Sequence, residues 1–265
     1  MKYSGNLSKM RVKLDSPVSY ELHLGEEAVP MNELIGKELK FSYEGRINCI
    51  ICGDKTKKSF AQGFCYRHFM NAPEASPCII RPEVCEGHLG KGRDVEWEQA
   101  HHVQPHIVYL ALTNGMKVGV TREQQVPTRW IDQGAWKAVK FAETPNRYLA
   151  GVIEVAMKDH LSDKTNWQRM LKNQMNMDLD ILEEKTRLLD LLPAEYAEYQ
   201  SSNDEVTEIH YPVEAYPEKV KSLSFEKMPE IEGTLLGIRG QYLIFDAGRV
   251  LNVRKHTGYW IDLEV

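Results

Sequence analysis

The stretch CIICGDKTKKSFAQGFCYRHF holds Cys49-x2-Cys52, then twelve residues, then Cys65-x2-His68. Two short pairs of soft donors with a loop between them have the spacing of a tetrahedral zinc site. Gly53 and Gly63 suit tight turns that aim both members of each pair at one ion. Thiolates brought together at neutral pH need a cation to hold them deprotonated. Four protein ligands leave no open position, so the expected role is structural. A second cluster follows in Cys78, Cys85-x2-His88 and the pair His101-His102, with His102 assigned as the fourth donor and His101 left open. One or two Zn²⁺ are therefore expected. The plainer alternative is a set of buried thiols and surface histidines.

The stretch HIVYLALTNGMKVGVTREQQVPTRW carries a different kind of chemistry. Ile107, Tyr109 and Ala111 alternate, Asn114-Gly115 is a turn pair, and Lys117 to Val120 forms a second strand, which together predict a hairpin. Arg129 follows it. Further on, Leu149, Val152, Ile153, Ala156 and Met157 form an amphipathic helical stripe with Glu154 at its margin. Taken singly, these residues have ordinary readings. Tyr109 is a half-buried strand aromatic, and Arg129 is solvated at a helix start. Glu154 stands four residues before Lys158, the favourable order for an exposed ion pair.

Their order and spacing resemble the GIY-YIG nuclease superfamily over residues 106–167. Val108-Tyr109-Leu110 stands at the first name motif and Lys117-Val118-Gly119 at the second. Arg129 stands at the helix arginine, Glu154 at the metal-binding glutamate, and Asn166 at a late polar residue of some members. The resemblance implies a metal-dependent phosphodiesterase, an endonuclease acting on DNA or RNA. Glu154 would hold a catalytic Mg²⁺ or Mn²⁺, hard cations that prefer carboxylate oxygen. Arg129 would grip the scissile phosphate, Tyr109 would orient or deprotonate the attacking water, and Gly119 would admit close backbone packing. Two positions depart from the pattern: Lys117 stands where tyrosine is usual, and Gln133 where a histidine often follows the arginine. Lys117 is then a phosphate contact or a base of lowered pKa. The stretches KVGVTR and PTRWIDQGA also resemble an uncharacterised bacterial zinc-binding family, from which no activity carries over.

Charge is unevenly spread. The chain has a net charge of −5, yet residues 46–69 sum to +4, residues 101–150 to +3, and residues 172–232 to −9. A basic middle suits a polyanion, so nucleic acid is the expected partner, and the acidic 172–232 stretch can meet a protein. Two alternatives to the nuclease stay open. One is a non-catalytic zinc-containing nucleic-acid-binding protein, the other a protein-interaction scaffold with structural zinc. Trp130, Trp136 and Trp167 lie near the basic segment, as base-stacking rings or as core anchors. No apolar run approaches the ~18 residues of a membrane span. The first residues lack an apolar signal segment, so a cytoplasmic protein without membrane contact is expected. Walker, G-x-G-x-x-G and H-E-x-x-H motifs are absent.

The elements that must position these groups predict an α+β protein. Residues 1–48 are β-rich, with a strand in PVSYELHLG and another in LIGKELKFSYEGRI turning at Glu44-Gly45. Residues 49–105 lack periodicity and form the cysteine/histidine zinc module, which needs a staple other than an aliphatic core. Residues 106–172 form the central GIY-YIG-like hairpin and helix domain, with one helix near Arg129–Ala142 and a longer one after it. TNWQRMLKNQ either continues that helix or starts another. Residues 173–265 are a helix over 173–192 followed by β-rich sequence. The two β-rich ends suit one small barrel brought together across the middle.

Overall fold

The computed structural model describes residues 1–161 and 166–265. The chain opens with β1 (Lys2–Asn6) and a small antiparallel sheet of β2 (Arg11–Lys13), β3 (Ser19–Leu24) and β4 (Glu27–Pro30). The long β5 (Glu38–Asn48) follows, and β6 (Lys55–Thr56) pairs back on its end. The cysteine/histidine module then contributes α1 (Tyr66–Asn71) and α2 (Val95–His102), separated by short 3₁₀ turns. The centre is β7 (His106–Leu112), β8 (Met116–Arg122), α3 (Thr128–Asp132), β9 (Lys137–Thr144) and α4 (Arg147–Lys158). After α5 (Trp167–Leu171) and α6 (Ile181–Leu189), β10 (Thr207–Glu208) pairs with β9. The chain closes with β11 (Lys221–Ser222), β12 (Glu230–Arg239), β13 (Tyr242–Phe245), β14 (Arg249–Asn252) and β15 (Tyr259–Glu264).

The two chain ends do share a sheet, in the order β1-β15-β5-β12-β13-β14-β11. Among the described residues no pairing joins β1 to β11, so it is an open sheet rather than the expected barrel. Glu44-Gly45 is not a turn. β5 runs through it with Gly45 at φ +80°, and the register against β15 shifts there, as in a bulge.

The central sheet has the order β10-β9-β7-β8, with β7 antiparallel to both neighbours and buried along its whole length. Its two faces meet different partners. Ile107, Tyr109 and Ala111 join Trp130 and the core of the end sheet, whereas Val108, Leu110 and Leu112 pack with Ile153, Met157 and Leu188. The hairpin is thus sandwiched between the end sheet and α4. No helix among the described residues is long and apolar enough to cross a membrane.

Two helices differ from the sequence reading, and a third decides between alternatives it left open. The helix at Arg129 stops after five residues at Gly134, whose φ of +73° breaks it, and Lys137–Thr144 alternates as a strand. TNWQRMLKNQ starts its own helix, because Asn166 caps α5; Thr165 before it lies outside the described residues. The helix expected over 173–192 begins at Ile181, where the Asp180 side chain accepts from the Leu182 and Glu183 amides.

The α4 helix also buries more than its stripe predicts. Gly151 lies against the backbone of Pro82 and Glu83 in the zinc module, so a second side of the helix is covered and Glu154 is buried. A Cβ at residue 151 would overlap that backbone, which cannot yield as a flexible side chain can. Gly151→Ala is expected to destabilise by about 2 kcal/mol or more. A thermal melt should read this as a Tm lowered by roughly 5 °C.

Candidate functional site

The first candidate metal site is built by two turns facing each other. Cys49 follows β5, and the Gly53 amide donates to its carbonyl at 2.8 Å with Gly53 at φ +74°. The second turn is closed by the mutual amide–carbonyl bonds of Phe60 and Phe64, both 2.9 Å, after which Cys65 caps α1 and His68 sits in its first turn. The donor atoms of Cys49, Cys52, Cys65 and His68 all lie within 4.8 Å of one another. His68 Nδ1 is 3.2 Å from Cys65 Sγ and 3.5 Å from Cys49 Sγ. Three thiols and an imidazole at this separation fit Zn²⁺. Little apolar packing supports the module, and Ile50, Ile51, Tyr66 and Met70 are exposed around it.

The second centre departs from expectation at one ligand. Cys78, Cys85, Glu98 and His102 gather their donor atoms within 4.8 Å, and all four are buried. The histidine choice falls on His102. His101 instead stacks on Trp97 at 4.0 Å and donates from Nδ1 to the Trp97 carbonyl. His88 is not among the gathered donors: its ring stacks on Tyr148 at 4.7 Å. Glu98 takes its place because it lies one turn before His102 on α2, so both point from one face. Gly92 leaves the space that the Glu98 side chain fills, and the Ser76 hydroxyl donates to its Oε1 at 3.3 Å. The thiol of Cys78 donates to Cys85 and, against burial, pushes it down to about 4, so a thiolate is ready at neutral pH. Two cysteine sulfurs, an imidazole and a carboxylate again fit Zn²⁺. Arg147, the first residue of α4, donates to the carbonyls of Cys78 and Ile79 at 2.9 Å each and ties this centre to that helix.

On the hairpin, Tyr109 and Gly119 are direct cross-strand partners. The Tyr109 ring is fully buried, its hydroxyl has no hydrogen-bond partner, and a Cβ on Gly119 would stand 2.6 Å from that oxygen. Burial raises the pKa of this hydroxyl, Arg129 and Gln133 act to lower it, and the Glu154 charge acts to raise it. Tyr109, Lys117, Gly119 and Arg129 therefore share one side of the sheet. Glu154 comes from the helix on the other side, where it pairs with Lys158 Nζ at 3.3 Å, as its spacing predicts. Burial pushes its carboxyl up, with Lys158 opposing and Glu83 adding. Asn166 spends its side chain capping the amides of Gln168 and Arg169, while its own amide donates to Asn114 Oδ1 at 2.7 Å.

Between hairpin, α3, α5 and the end sheet lies a pocket of about 320 Å³. Lys117, Asn114, Gln133, Asn166, Trp167 and Arg254 line it. Gln62 joins from the zinc module with an uncommon φ of +67° for a non-glycine residue. Sequence reasoning missed Glu98, Arg254, Asn114 and Gln62. Only Glu98 had a local signal, the i, i+4 spacing to His102.

Lys117 is half-buried, and burial, reinforced by the Arg129 charge, pushes its ammonium down to about 7. An unfolded chain keeps that proton to about pH 10.4. The folded chain sheds it first, so stability should rise with pH between about 7 and 10.4, the full penalty applying below 7. Lys117→Met should remove the penalty, raising Tm at pH 7 by a few degrees and flattening the rise between pH 7 and 9. Melts of both chains across that range check it.

A family model described as "Protein of unknown function (DUF2797)" matches residues 36–261. No curated protein and no solved structure matches the chain.

Proposed function

The chain belongs to the DUF2797 family, and we propose that it is a zinc-stabilised, GIY-YIG-like, metal-dependent phosphodiesterase acting on nucleic acid. The observation that carries this reading is the setting of Lys117. It lines the hairpin pocket, sits near Arg129, and holds its proton only to about pH 7.

Hydrolysis of a phosphodiester needs a proton acceptor for the attacking water and positive charge at the phosphoryl oxygens. With its pKa near working pH, Lys117 Nζ suits the first task, in place of the histidine that Gln133 replaces. Arg129 offers its planar fork for the second. Tyr109, fully buried over Gly119, is a positioning residue whose ring packs against Trp130, the neighbour of Arg129 on α3. Glu154 and the neighbouring Glu83 are the hard oxygen donors that suit Mg²⁺ or Mn²⁺. An ion bound there would supply Lewis-acid charge only to a phosphate that reached the α4 side of the sheet. The zinc centres hold the frame: the first carries the loop with Gln62, and the second docks the Pro82–Glu83 backbone and Cys78 on α4 beside Glu154.

A specific observation favours a second reading, binding without cleavage. Glu154 is engaged by Lys158 and lies across the sheet from Arg129. A cleavage assay separates the two. Labelled single-stranded and duplex DNA and RNA are incubated with wild type in Mn²⁺, in Mg²⁺ and in EDTA. Products that require the divalent ion support the phosphodiesterase. Salt-sensitive binding with no product in any lane supports the second reading. Neither binding nor product would remove both and favour a protein-interaction role.

A further inference from the structure

The hairpin pocket has features that a phosphate site alone does not need. Lys117 and Arg254 line it, and the charge of nearby Arg129 lowers the pKa of both. Among the described residues none of the three forms an ion pair. Asp132, the carboxylate at the pocket, is already held by Lys9 Nζ and Gln241 Nε2, both at 2.8 Å. Unpaired clustered cations lose free energy to desolvation and mutual repulsion unless an anion joins them. Two further groups also await a partner. The Nδ2 of Asn114, a residue 7% exposed, and the Oε1 of Gln133 are buried without a hydrogen bond. Such atoms cost free energy if nothing meets them. At the rim, Trp167 stacks on Tyr242 with centroids 5.6 Å apart and planes 4° apart, and stays 38% exposed.

The end sheet limits what can enter. Tyr242 and Arg254 from that sheet region face the hairpin across the pocket, which holds about 320 Å³. That is the low end of the ~300–1,000 Å³ of small-ligand sites, the size of one nucleotide unit and not of a duplex.

We propose that the pocket takes a single unpaired nucleotide unit, its phosphate on Arg254, its base on the Trp167–Tyr242 stack, and its polar edge met by Asn114 and Gln133. This rests on the phosphodiesterase reading only for what happens to the neighbouring phosphate at Arg129. It makes single-stranded nucleic acid, or a frayed or flipped end, the substrate class. Arg254 becomes a specificity residue supplied by a region more than a hundred residues from the hairpin in sequence.

The test is equilibrium binding of a fluorescein-labelled single-stranded DNA oligonucleotide and of the same sequence as a blunt duplex. Full-length wild type, Arg254→Ala, Trp167→Ala and Trp167→Phe are compared at low salt. The single strand should bind at least about tenfold tighter than the duplex. Arg254→Ala and Trp167→Ala should each weaken it by about tenfold, in the range of losing one base stack. Trp167→Phe, which keeps a ring, should recover most of that loss, separating stacking from a fold defect. A nucleoside 5′-monophosphate should compete, and the unphosphorylated nucleoside should not. Equal affinity for duplex and single strand, or neutral Arg254→Ala and Trp167→Ala, would overturn the proposal. If the single strand binds through Arg254 and Trp167 but is never cut, the pocket assignment stands and the phosphodiesterase reading fails. If duplex is cut and Arg254→Ala cuts it equally well, the pocket assignment fails and that reading stands.

Discussion

Cys85→Ser is expected to release one zinc per chain and to lower Tm by roughly 10 °C. The four donors of its centre are buried, and Glu98 and His102 lie against each other within it. Without a full ligand set the metal dissociates, and a buried carboxylate, imidazole and thiol lose the charge that neutralised them. Breaking a buried charged set by removing one partner costs about 3–5 kcal/mol. At 2–4 °C per kcal/mol for a chain of this size, that is the expected fall. The damage should spread, because Arg147 holds the Cys78 and Ile79 carbonyls and Gly151 packs on Pro82 and Glu83. Cys49→Ser should behave differently. Its module leans on little apolar core, so a metal held there would be the staple and its loss local unfolding. Zinc should fall by one per chain with a smaller change in Tm, while trypsin gains access at Lys55, Lys57, Lys58 and Arg67. Metal analysis by mass spectrometry, melts and limited proteolysis on the two variants check the contrast. Full zinc content in Cys85→Ser would show that the cluster is not a metal centre.

Arg129→Ala should reduce cleavage by about 10²–10³-fold, the range for removing one preorganised donor to a developing oxyanion. It should leave Tm unchanged or raised, since Arg129 crowds two other cations. The pH profile adds a signature that mere loss of substrate binding would not give. On the proposed reading Lys117 would serve as base only when neutral, so the wild-type rate should rise through about pH 7. Removing the Arg129 charge lets the Lys117 pKa climb, and the residual rate should rise at higher pH. Single-turnover rates from pH 5.5 to 9 read both effects. An unshifted midpoint in Arg129→Ala would separate the two residues and remove Lys117 as the base.

How far the sequence carried this account depended on whether each signal was local. Cys49, Cys52, Cys65 and His68 come from two turns whose spacing is itself the geometry, and they converge as read. The hairpin from His106 to Arg122 was equally legible, since alternation and an Asn-Gly turn are short-range. At the second centre the sequence favoured His88 by its closeness to Cys85, but a tertiary contact turned His88 onto Tyr148 and left the place to Glu98. The segment after Arg129 shows strand alternation from Lys137 that a helix-compatible composition masked, and Gly134 is what separates the two states. Glu154 looked like a surface residue because one helix face was counted, whereas α4 is covered on two sides. Arg254 had no local mark. Its meaning appears only when the two chain ends pair into one sheet and bring it to Lys117.

The proposed activity is cleavage of phosphodiester bonds at the hairpin site. Its most direct measurement is cleavage of a labelled single-stranded oligonucleotide by zinc-replete wild type in Mn²⁺, beside Arg129→Ala and Glu154→Gln with matched zinc content and Tm. Ion-dependent product is expected from wild type, with at least a hundredfold less from Arg129→Ala. Absence of product from wild type, or equal product from all three chains, would contradict it.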